Sequence, residues 1–454
     1  MFSVTSLGFL PFMALFVCLW YRVPQPSRWK LVLAANAVFC LSIDIGAFFA
    51  VALATAVVWQ AAQHAQPEQP SRRGWLALGL AAALLPLLVL KYSGMLVPGL
   101  RDLYKPFGLA YYSLQLAGYL LDVWHGRTAP TPSYARLWCY AGFFLSLTQG
   151  PFNRYNTLMP QLEAAPKTFE TQRLVSGLQR SAWGYFKKFA IADRAAIVVS
   201  AAFADPASFD RSQLIFATVM YSFQLYADFS GYTDIVLGMG EILGLHLPEN
   251  FRQPFFSASV KELWARWHIS LSQWFRDYVY IPLGGNRKGL GRQLLNIAIV
   301  WFLTGLWHGA SWNFVLWGVY YAVLLLLEKT FLLQWLDRVP AVVGHIYTCL
   351  CFIMGWVLFA ITDFTQLGAY LGHMFSGTLF DGTAAYLLRS FWLVLVLAVI
   401  GCTSLPKRLW SRWEGGMAPA ASDALRTVWM VLVLLVSVAF LVGDSYNPFL
   451  YFRF

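Results

Sequence analysis

The sequence predicts an all-α polytopic membrane protein that crosses the bilayer about ten to twelve times. Of its 454 residues, 58% are hydrophobic and 12% are charged, whereas an ordinary soluble domain has roughly 25% charged residues. Long apolar runs also recur along the whole chain. Such runs span lipid as helices, because open strands leave backbone polar groups without partners in hydrocarbon. We therefore expect a bundle of transmembrane helices.

The apolar runs extend from the beginning of the chain to its end. Four of them occupy 6–21, 75–90, 390–405 and 427–442, and each comes close to the roughly 20 residues that span a bilayer. The first run lacks a preceding basic segment and a cleavage site, so we interpret it as a retained span and not as a signal peptide. Gly, Pro or charge interrupts the runs within 31–60 and 106–150, which leaves the span count open there. Without an internal repeat, the sequence predicts a single membrane domain over 1–454.

Charge gives the expected orientation. The net charge of +11 comes largely from basic residues in short loops between apolar runs. This is the pattern of cytoplasmic loops in membrane proteins, and it argues against a nucleic-acid partner. With these loops inside, both termini lie outside, together with the segment 363–387, which has no Lys or Arg.

The cysteines do not indicate a metal or a disulfide framework. There are six of them: Cys18, Cys40, Cys139, Cys349, Cys351 and Cys402. Most lie inside apolar runs, where a thiol usually acts as a small core hydrophobe. Their spacing matches neither a metal site nor a disulfide pattern, so we expect no bound metal.

Residues 248–292 differ from the rest of the chain in being both basic and aromatic: "PENFRQPFFSASVKELWARWHISLSQWFRDYVYIPLGGNRKGLGR". Within them, large apolar residues recur every three or four positions, at Leu263, Trp267, Leu271, Trp274 and Tyr278. The spacing predicts one amphipathic helix over 257–278 that begins at a cap on Ser257 or Ser259. Such a helix suits an interfacial or re-entrant position at the cytoplasmic surface.

Ionisable residues at membrane depth are costly and indicate functional sites. The predicted spans contain Asp44, Asp122, His125, Asp228, Asp234, Glu241, His268 and His308. Three of these, Asp44, Asp122 and His125, fall near span ends, where a solvated helix end explains them equally well.

Asp228 lies one helical turn from Gln224 in a segment rich in Gly and hydroxyl side chains. Either this segment packs closely through its glycines and pairs its polar groups with neighbours, or Asp228 lines a wet cavity or orients an imidazole.

His308 lies between two apolar segments. The adjacent Gly305 and Gly309 allow backbone or a ligand to approach its ring. A lone buried histidine is usually structural, yet a neutral imidazole in a site of low dielectric constant is also a competent general base.

Several long motifs resemble membrane-bound O-acyltransferases, above all the bacterial alginate O-acetyltransferase branch. They are "YLLDVWHG" (119–126), "GPFNRYNTLMPQL" (150–162), "GYFKKFAIADR" (184–194), "YADFSGYTDIVLGMGEILG" (226–244), the 248–292 segment, "LTGLWHGASWNFVLWG" (303–318) and "NPFLYFRF" (447–454). The chain departs from the family at Ala360, where the family has an arginine, and at "PFGLAYYSLQ" (106–115). The "GPFNRY" stretch is also similar to the teichoic acid D-alanylation branch, so the donor and the acceptor both stay open.

The resemblance implies a helical bundle in which a central tunnel, reached from both faces, narrows at a histidine. It assigns the catalytic role to His308, in "WHG", and a supporting role to His268, in "RWHIS". An acyl group on a cytosolic thioester, either acetyl-CoA or an acyl carrier protein, would pass to a hydroxyl presented from outside, directly or through an extracytoplasmic partner protein. The thioester is a co-substrate, and no bound cofactor is implied.

The residue types around these histidines suggest further roles. The basic segment suits an anionic donor, and Arg276 and Arg287 are its predicted donor-binding residues. Asn313, Ser311 and Trp307 are possible hydrogen-bond donors to the oxyanion, and nothing in the sequence chooses among them. Asp228, Asn313 and Trp307 are also candidates for lining the donor tunnel.

We interpret the chain as an O-acetyltransferase of an exported or cell-surface polysaccharide in a bacterial cytoplasmic membrane. One alternative is D-alanyl transfer from a carrier protein to teichoic acid. Another is a proton-coupled transporter, although the inverted repeats common in transporters are not detectable here. A scaffold of a polysaccharide secretion complex is a fourth hypothesis.

Overall fold

The computed structural model of the chain describes residues 4–6, 8–100, 102–166, 168–379 and 383–443. Within these ranges the chain is helical, and the one β-type pairing there is an isolated antiparallel bridge between Phe251 and Trp267. The predicted all-α class is therefore confirmed. The terminal motif "NPFLYFRF" lies outside the described residues.

The helices of the first half are α1 Phe9–Arg22, α2 Arg28–Ile43, α3 Ile45–His64, α4 Arg72–Leu96, α5 Leu109–Trp124, α6 Tyr134–Ala141, α7 Tyr155–Ala164, α8 Thr171–Phe186, α9 Asp193–Ala204 and α10 Arg211–Ile242. Those of the second half are α11 Val260–Arg266, α12 Ile269–Phe275, α13 Leu290–His308, α14 Trp312–Leu327, α15 Leu333–Leu336, α16 Ala341–Ala360, α17 Phe364–Ser376, α18 Thr383–Gly401, α19 Leu405–Glu414 and α20 Pro419–Gly443. Wider π-helical turns occupy Lys187–Ala192, Arg276–Tyr280 and Glu328–Leu332.

Among the described residues, six helices are long and apolar enough to cross a membrane: α3, α4, α13, α14 with its continuation through α15, α16 and α20. A seventh is added if α18 and α19, which meet at a bend of 73°, form one broken span. The multi-pass character is confirmed, although fewer helices meet this criterion than the number of spans predicted. The difference arises because several apolar runs fold as shorter helices, such as α1 with 14 residues and α2 and α5 with 16 each.

The chain forms two compact units, Met1–Ser181 with Thr233–Glu249, and Ala182–Tyr232 with Asn250–Phe454. In the first unit, the Phe144 ring packs edge-on against Phe12 and Phe16, and the buried Asn36 amide bridges the backbone of Cys139 and Phe144. The second unit has an aromatic core that includes Trp267, Trp301, Trp317, Tyr321, Trp356 and Phe359. The expectation of a single domain over 1–454 stays a prediction.

The helix predicted over 257–278 is broken at His268. Its start is as predicted, since the Ser259 hydroxyl accepts the Glu262 N–H at 3.1 Å and caps α11. At His268, however, the backbone turns into the left-handed region (φ 45°, ψ 53°), and α12 begins at the next residue. The five residues of the predicted apolar face are nevertheless all buried, none more than 7% exposed. The spacing therefore identified the buried face and missed the break.

Two glycines bring α13 and α14 into close contact. A Cβ added at Gly305 would collide with the backbone oxygen of Phe314, and one added at Gly318 would meet the backbone oxygen of Trp301. A Cβ at Gly309 would likewise meet the Phe314 ring. The glycines beside His308 therefore allow α13 and α14 to pack closely. Of the two alternatives in the sequence analysis, approach of backbone and approach of a ligand, the structure shows the first.

We expect Gly305→Ala to lower the free energy of unfolding by about 1–3 kcal/mol, because the added methyl group forces two backbones apart. Thermal unfolding of the protein in detergent measures the loss. Gly291→Ala is the matched control in the same helix, since a Cβ at Gly291 has no neighbour within 4 Å. Equal unfolding temperatures for the two variants would contradict the packing role of Gly305.

Candidate active site

His308 is the last residue of α13 and lies at the turn into α14. The residue is 6% exposed. Its ring meets Trp317 and Phe359 edge-on, at centroid distances of 4.9 and 5.3 Å, and also contacts Trp307 at 4.9 Å. The rings of Trp307, Trp317 and Phe359 therefore fix the position of the imidazole.

His268 lies at the break between α11 and α12 and is 2% exposed. Its ring meets Phe229 edge-on at 4.8 Å and lies 5.9 Å from the Trp307 ring. Trp307 therefore contacts both histidine rings. Burial lowers the pKa of His268 to about 3, so the imidazole is neutral between pH 5 and 8.

A cavity of about 530 Å³ connects the two histidines with the surface of the second unit. Its inner end contains His268, His308 and the indoles of Trp267, Trp317 and Trp356. These five residues are each less than 9% exposed. Much of the remaining lining comes from α12 and α13, through residues such as Leu271, Phe275, Ile297, Val300 and Thr304.

The mouth of the cavity is basic. Its exposed lining includes Lys261, Arg276, Asn286 and Lys329. The neighbouring Glu328 is buried, and both of its oxygens accept backbone N–H groups at the start of α11, from Val260 at 2.6 Å and Lys261 at 2.8 Å. The N–H groups at the start of α11 thus compensate the negative charge of Glu328. The exposed side chains of Lys261, Arg276 and Lys329 are positively charged and favour an anionic ligand.

The two predicted donor-binding arginines differ in position. Arg276 lines the cavity, and its Nε donates to Asp277 at 2.8 Å. Arg287 is exposed in the turn between the π-helical segment and α13 and does not belong to the lining.

The three residues suggested as oxyanion donors also differ. Asn313 is fully buried, and its Nδ2 donates to the backbone oxygens of Leu358 at 3.1 Å and Phe359 at 3.0 Å. Both amide hydrogens are thus used to tie α14 to α16. Ser311 is the N-cap residue of α14, without a side-chain capping bond. Trp307, between the histidine rings, is the one of the three that contacts His308 through its ring.

Asp228 is paired with a lysine and does not line the cavity. Its carboxylate accepts a hydrogen bond from Lys188 at 2.9 Å, and Lys188 also donates to Asp193 at 2.9 Å. The side chains of Asp228 and Lys188 are each 1% exposed. The next residue, Phe229, contacts the His268 ring, so Asp228 is near the site through its neighbour.

The other ionisable candidates belong to the first unit and have local partners. These are Asp44 with the Gly46 and Phe107 N–H groups, Asp122 with Arg127, His125 with the Leu121 oxygen, Asp234 with Arg180 and Glu241 with Ser176. Capping and pairing account for these side chains. Among the described residues, no group of three or more His, Cys, Asp or Glu could hold a metal ion.

Sequence reasoning gave no individual role to several lining residues. Lys329 was counted only among the basic residues of the loops, and Lys261 only as one of the basic residues of the 248–292 segment. Trp264 and Trp356 belong to aromatic runs without a distinctive spacing. A signal for Lys261 was present, since it lies on the same basic segment as Arg276. Nothing in the local sequence indicates that Trp356 lies near the histidines.

Comparison with known proteins connects this site to one family. The sequence model of one protein family, described as MBOAT, membrane-bound O-acyltransferase family, matches residues 93–371. This range includes every residue that lines the cavity.

Three curated relatives illustrate the similarity. The chain is 31% identical to a probable alginate O-acetylase of Azotobacter vinelandii, with 98% of each chain covered. It is 26% identical to a peptidoglycan O-acetyltransferase of Helicobacter pylori, over 86% of this chain and 84% of the relative. It is 28% identical to a teichoic acid D-alanyltransferase of Bacillus subtilis, over 61% of this chain and 74% of the relative.

Proposed function

This chain belongs to the membrane-bound O-acyltransferase family and is an O-acyltransferase, and from that premise we propose that it transfers acetyl groups from cytosolic acetyl-CoA to hydroxyls of an exported or cell-surface polysaccharide. The observation that supports this most strongly is the cavity, which has a basic mouth and two buried histidines at its inner end. Acetyl-CoA is anionic at its nucleotide end and apolar at its acyl end, so its charge distribution matches that of the cavity.

His308 acts as the general base. It accepts the proton of the acceptor hydroxyl while the hydroxyl oxygen bonds to the thioester carbonyl carbon. The tetrahedral intermediate then expels sulfur, and the thiolate takes the proton back from the imidazolium. His268, neutral and buried at the same end, positions the donor, and Trp307 holds both rings.

The inner end of the cavity suits a small acyl group. Trp267 and Trp356 lie 4.9 Å apart, and Trp317 lies 6.3 Å from Trp356, measured between ring centroids. Rigid indoles packed this closely leave little space for a long acyl chain. This supports acetyl over longer acyl groups.

The acceptor class is inferred from relatives whose names specify alginate and peptidoglycan. A hydroxyl outside the membrane has to meet a donor from the cytosol at His308. The proposed location is therefore a bacterial cytoplasmic membrane, with an extracytoplasmic partner protein that presents the polymer or passes on the acetyl group.

The test is release of radiolabelled acetate or transfer of the label to an oligosaccharide by the purified protein in nanodiscs supplied with acetyl-CoA. We expect turnover above the rate of a heat-denatured sample. If the folded protein neither transfers nor releases label, with alginate and peptidoglycan oligomers present, acetyl-CoA is not the donor of any transfer that the protein carries out without its partner.

The relative from Bacillus subtilis supports a second candidate, D-alanyl transfer from a carrier protein. The exposed lysines and arginine at the mouth would also suit an acidic carrier protein. Supplying D-alanyl carrier protein in place of acetyl-CoA separates the two donors, because each labelled thioester gives a different product.

We expect joint replacement of Arg276 and Arg287 by Gln to raise the KM for acetyl-CoA roughly tenfold, since the loss of a hydrogen bond between charged groups costs about 1.5–3 kcal/mol. Turnover should change less, because both side chains are exposed whereas His308 is buried. Steady-state kinetics of the double variant and of each single variant measure the effect.

Arg276→Gln should account for most of the increase, because Arg276 lines the cavity and Arg287 does not. Arg292→Gln is the matched control, an exposed arginine of the same segment whose Nε donates to the Leu283 oxygen. An unchanged KM in the double variant would remove this segment from donor binding.

A further inference from the structure

The backbone break at His268 requires contacts from outside its own helices. A residue with a Cβ rarely adopts the left-handed conformation (φ 45°, ψ 53°) found at His268. His268 is also the N-cap residue of α12, yet its side chain makes no capping hydrogen bond. Another group must therefore hold the turn and satisfy the first N–H groups of α12.

Asn250 supplies these contacts from the segment that precedes α11. Its backbone oxygen accepts the Ile269 N–H at 3.1 Å. Its side-chain Oδ1 accepts the Ser270 N–H at 3.1 Å and the Ser270 hydroxyl at 2.7 Å. Asn250 is 0% exposed, so these bonds are not in competition with bulk water. Asn250 thus caps α12 in place of its own N-cap residue.

The residues after Asn250 pair with the other side of the break. The Arg252 N–H donates to the Arg266 oxygen at 3.0 Å, and Phe251 forms the antiparallel bridge with Trp267. The Phe251 ring also meets Phe229 edge-on at 5.0 Å, and Phe229 meets the His268 ring at 4.8 Å. The 250–252 segment is therefore linked to both the backbone and the ring environment of His268.

We propose that Asn250 is a positioning residue for His268 in acyl transfer, an inference that rests on the proposed function. An N-cap side chain normally turns back onto its own helix. Because Asn250 provides the cap, the imidazole of His268 is left to line the cavity.

A double-mutant cycle tests whether Asn250 acts through His268. Asn250→Ala should lower kcat/KM for acetyl-CoA by about 10- to 100-fold, the range expected when a reacting group is misplaced by about 1 Å. In a His268→Ala background the same change should have less than about a twofold effect, because the group that it positions is absent. If the factors by which Asn250→Ala and His268→Ala each lower kcat/KM multiply in the double variant, the two residues act independently and the proposal is wrong.

Asn36→Ala is the matched control, since Asn36 is equally buried and also bridges two backbone groups, but in the first unit. Its effects on activity and unfolding temperature should be the same with or without His268. If Asn250→Ala does not fold, Ser270→Ala takes its place in the cycle. It removes the hydroxyl bond to Oδ1 and keeps the backbone N–H bond to the same oxygen, and the expected effect is about threefold.

Carbethoxylation by diethyl pyrocarbonate, located by peptide mass spectrometry, gives a second readout that needs no donor. His268 is 2% exposed, so it should react slowly in the wild type and in Asn36→Ala, and several times faster in Asn250→Ala. If His268 is carbethoxylated at the same rate in the wild type, Asn36→Ala and Asn250→Ala, Asn250 does not position His268. A wild type that transfers no acetyl from acetyl-CoA overturns the proposed function, and the protection of His268 then still decides the role of Asn250.

Discussion

Replacement of His308 by alanine is expected to lower kcat for acetyl transfer by about 10²- to 10⁴-fold, the usual contribution of a general base. The ring is enclosed by Trp307, Trp317 and Phe359, so another side chain cannot easily take its place. The KM for acetyl-CoA should change little, because the basic mouth that holds the donor is unaltered. A lower kcat with an unchanged KM identifies an interaction that is made in the transition state alone.

The measurement compares initial rates of wild type, His308→Ala and His345→Ala in nanodiscs, with folding followed by size exclusion and thermal unfolding. His345 is the matched control, since it is a partly buried histidine of the second unit whose Nδ1 lies 3.2 Å from the Ser257 oxygen and which does not line the cavity. Its replacement should leave turnover unchanged. A folded His308→Ala variant with normal kcat would exclude His308 as the base.

The helical fold was predictable because hydrophobic length and helical spacing are local properties of the chain. The buried face from Leu263 to Tyr278 followed from spacing alone. The break at His268 did not, because its left-handed backbone is stabilised by Asn250 and Arg252, which are 14 or more positions away along the chain. A local pattern contains no information on such partners.

The candidate site was predictable to the extent that its motifs are distinctive. Both histidines were identified, and both line one cavity. Asp228 was chosen because it is ionisable at membrane depth, and Asn313 because it can donate a hydrogen bond and lies close to His308 in the sequence. Neither criterion separates a side chain that faces a cavity from one that pairs with protein. The Asn313 amide donates to two carbonyls of α16, and the partner of Asp228 is 40 residues away.

The pairing of Asp228 leads to the largest expected effect on stability. Lys188 donates to Asp228 and Asp193, and Ser230, two residues after Asp228, accepts from Lys187 at 3.2 Å. Burial alone would lower the pKa of Lys188, but the two carboxylates outweigh it and raise that pKa. The lysine is therefore charged in the folded protein, and it compensates two carboxylates where water is scarce.

Lys188→Met should consequently lower the free energy of unfolding by about 3–5 kcal/mol, because it leaves the buried Asp228 carboxylate without its cation. Thermal unfolding in detergent measures the loss. The double variant Lys188→Met, Asp228→Asn should recover much of it, since the amide has no charge to desolvate. If the losses in free energy of unfolding from Lys188→Met and Asp228→Asn simply add in the double variant, the pair is not the interaction that stabilises this part of the second unit. Recovery of stability together with normal kcat would further show that Asp228 acts by holding α10, and with it Phe229 against His268, and has no direct part in acyl transfer.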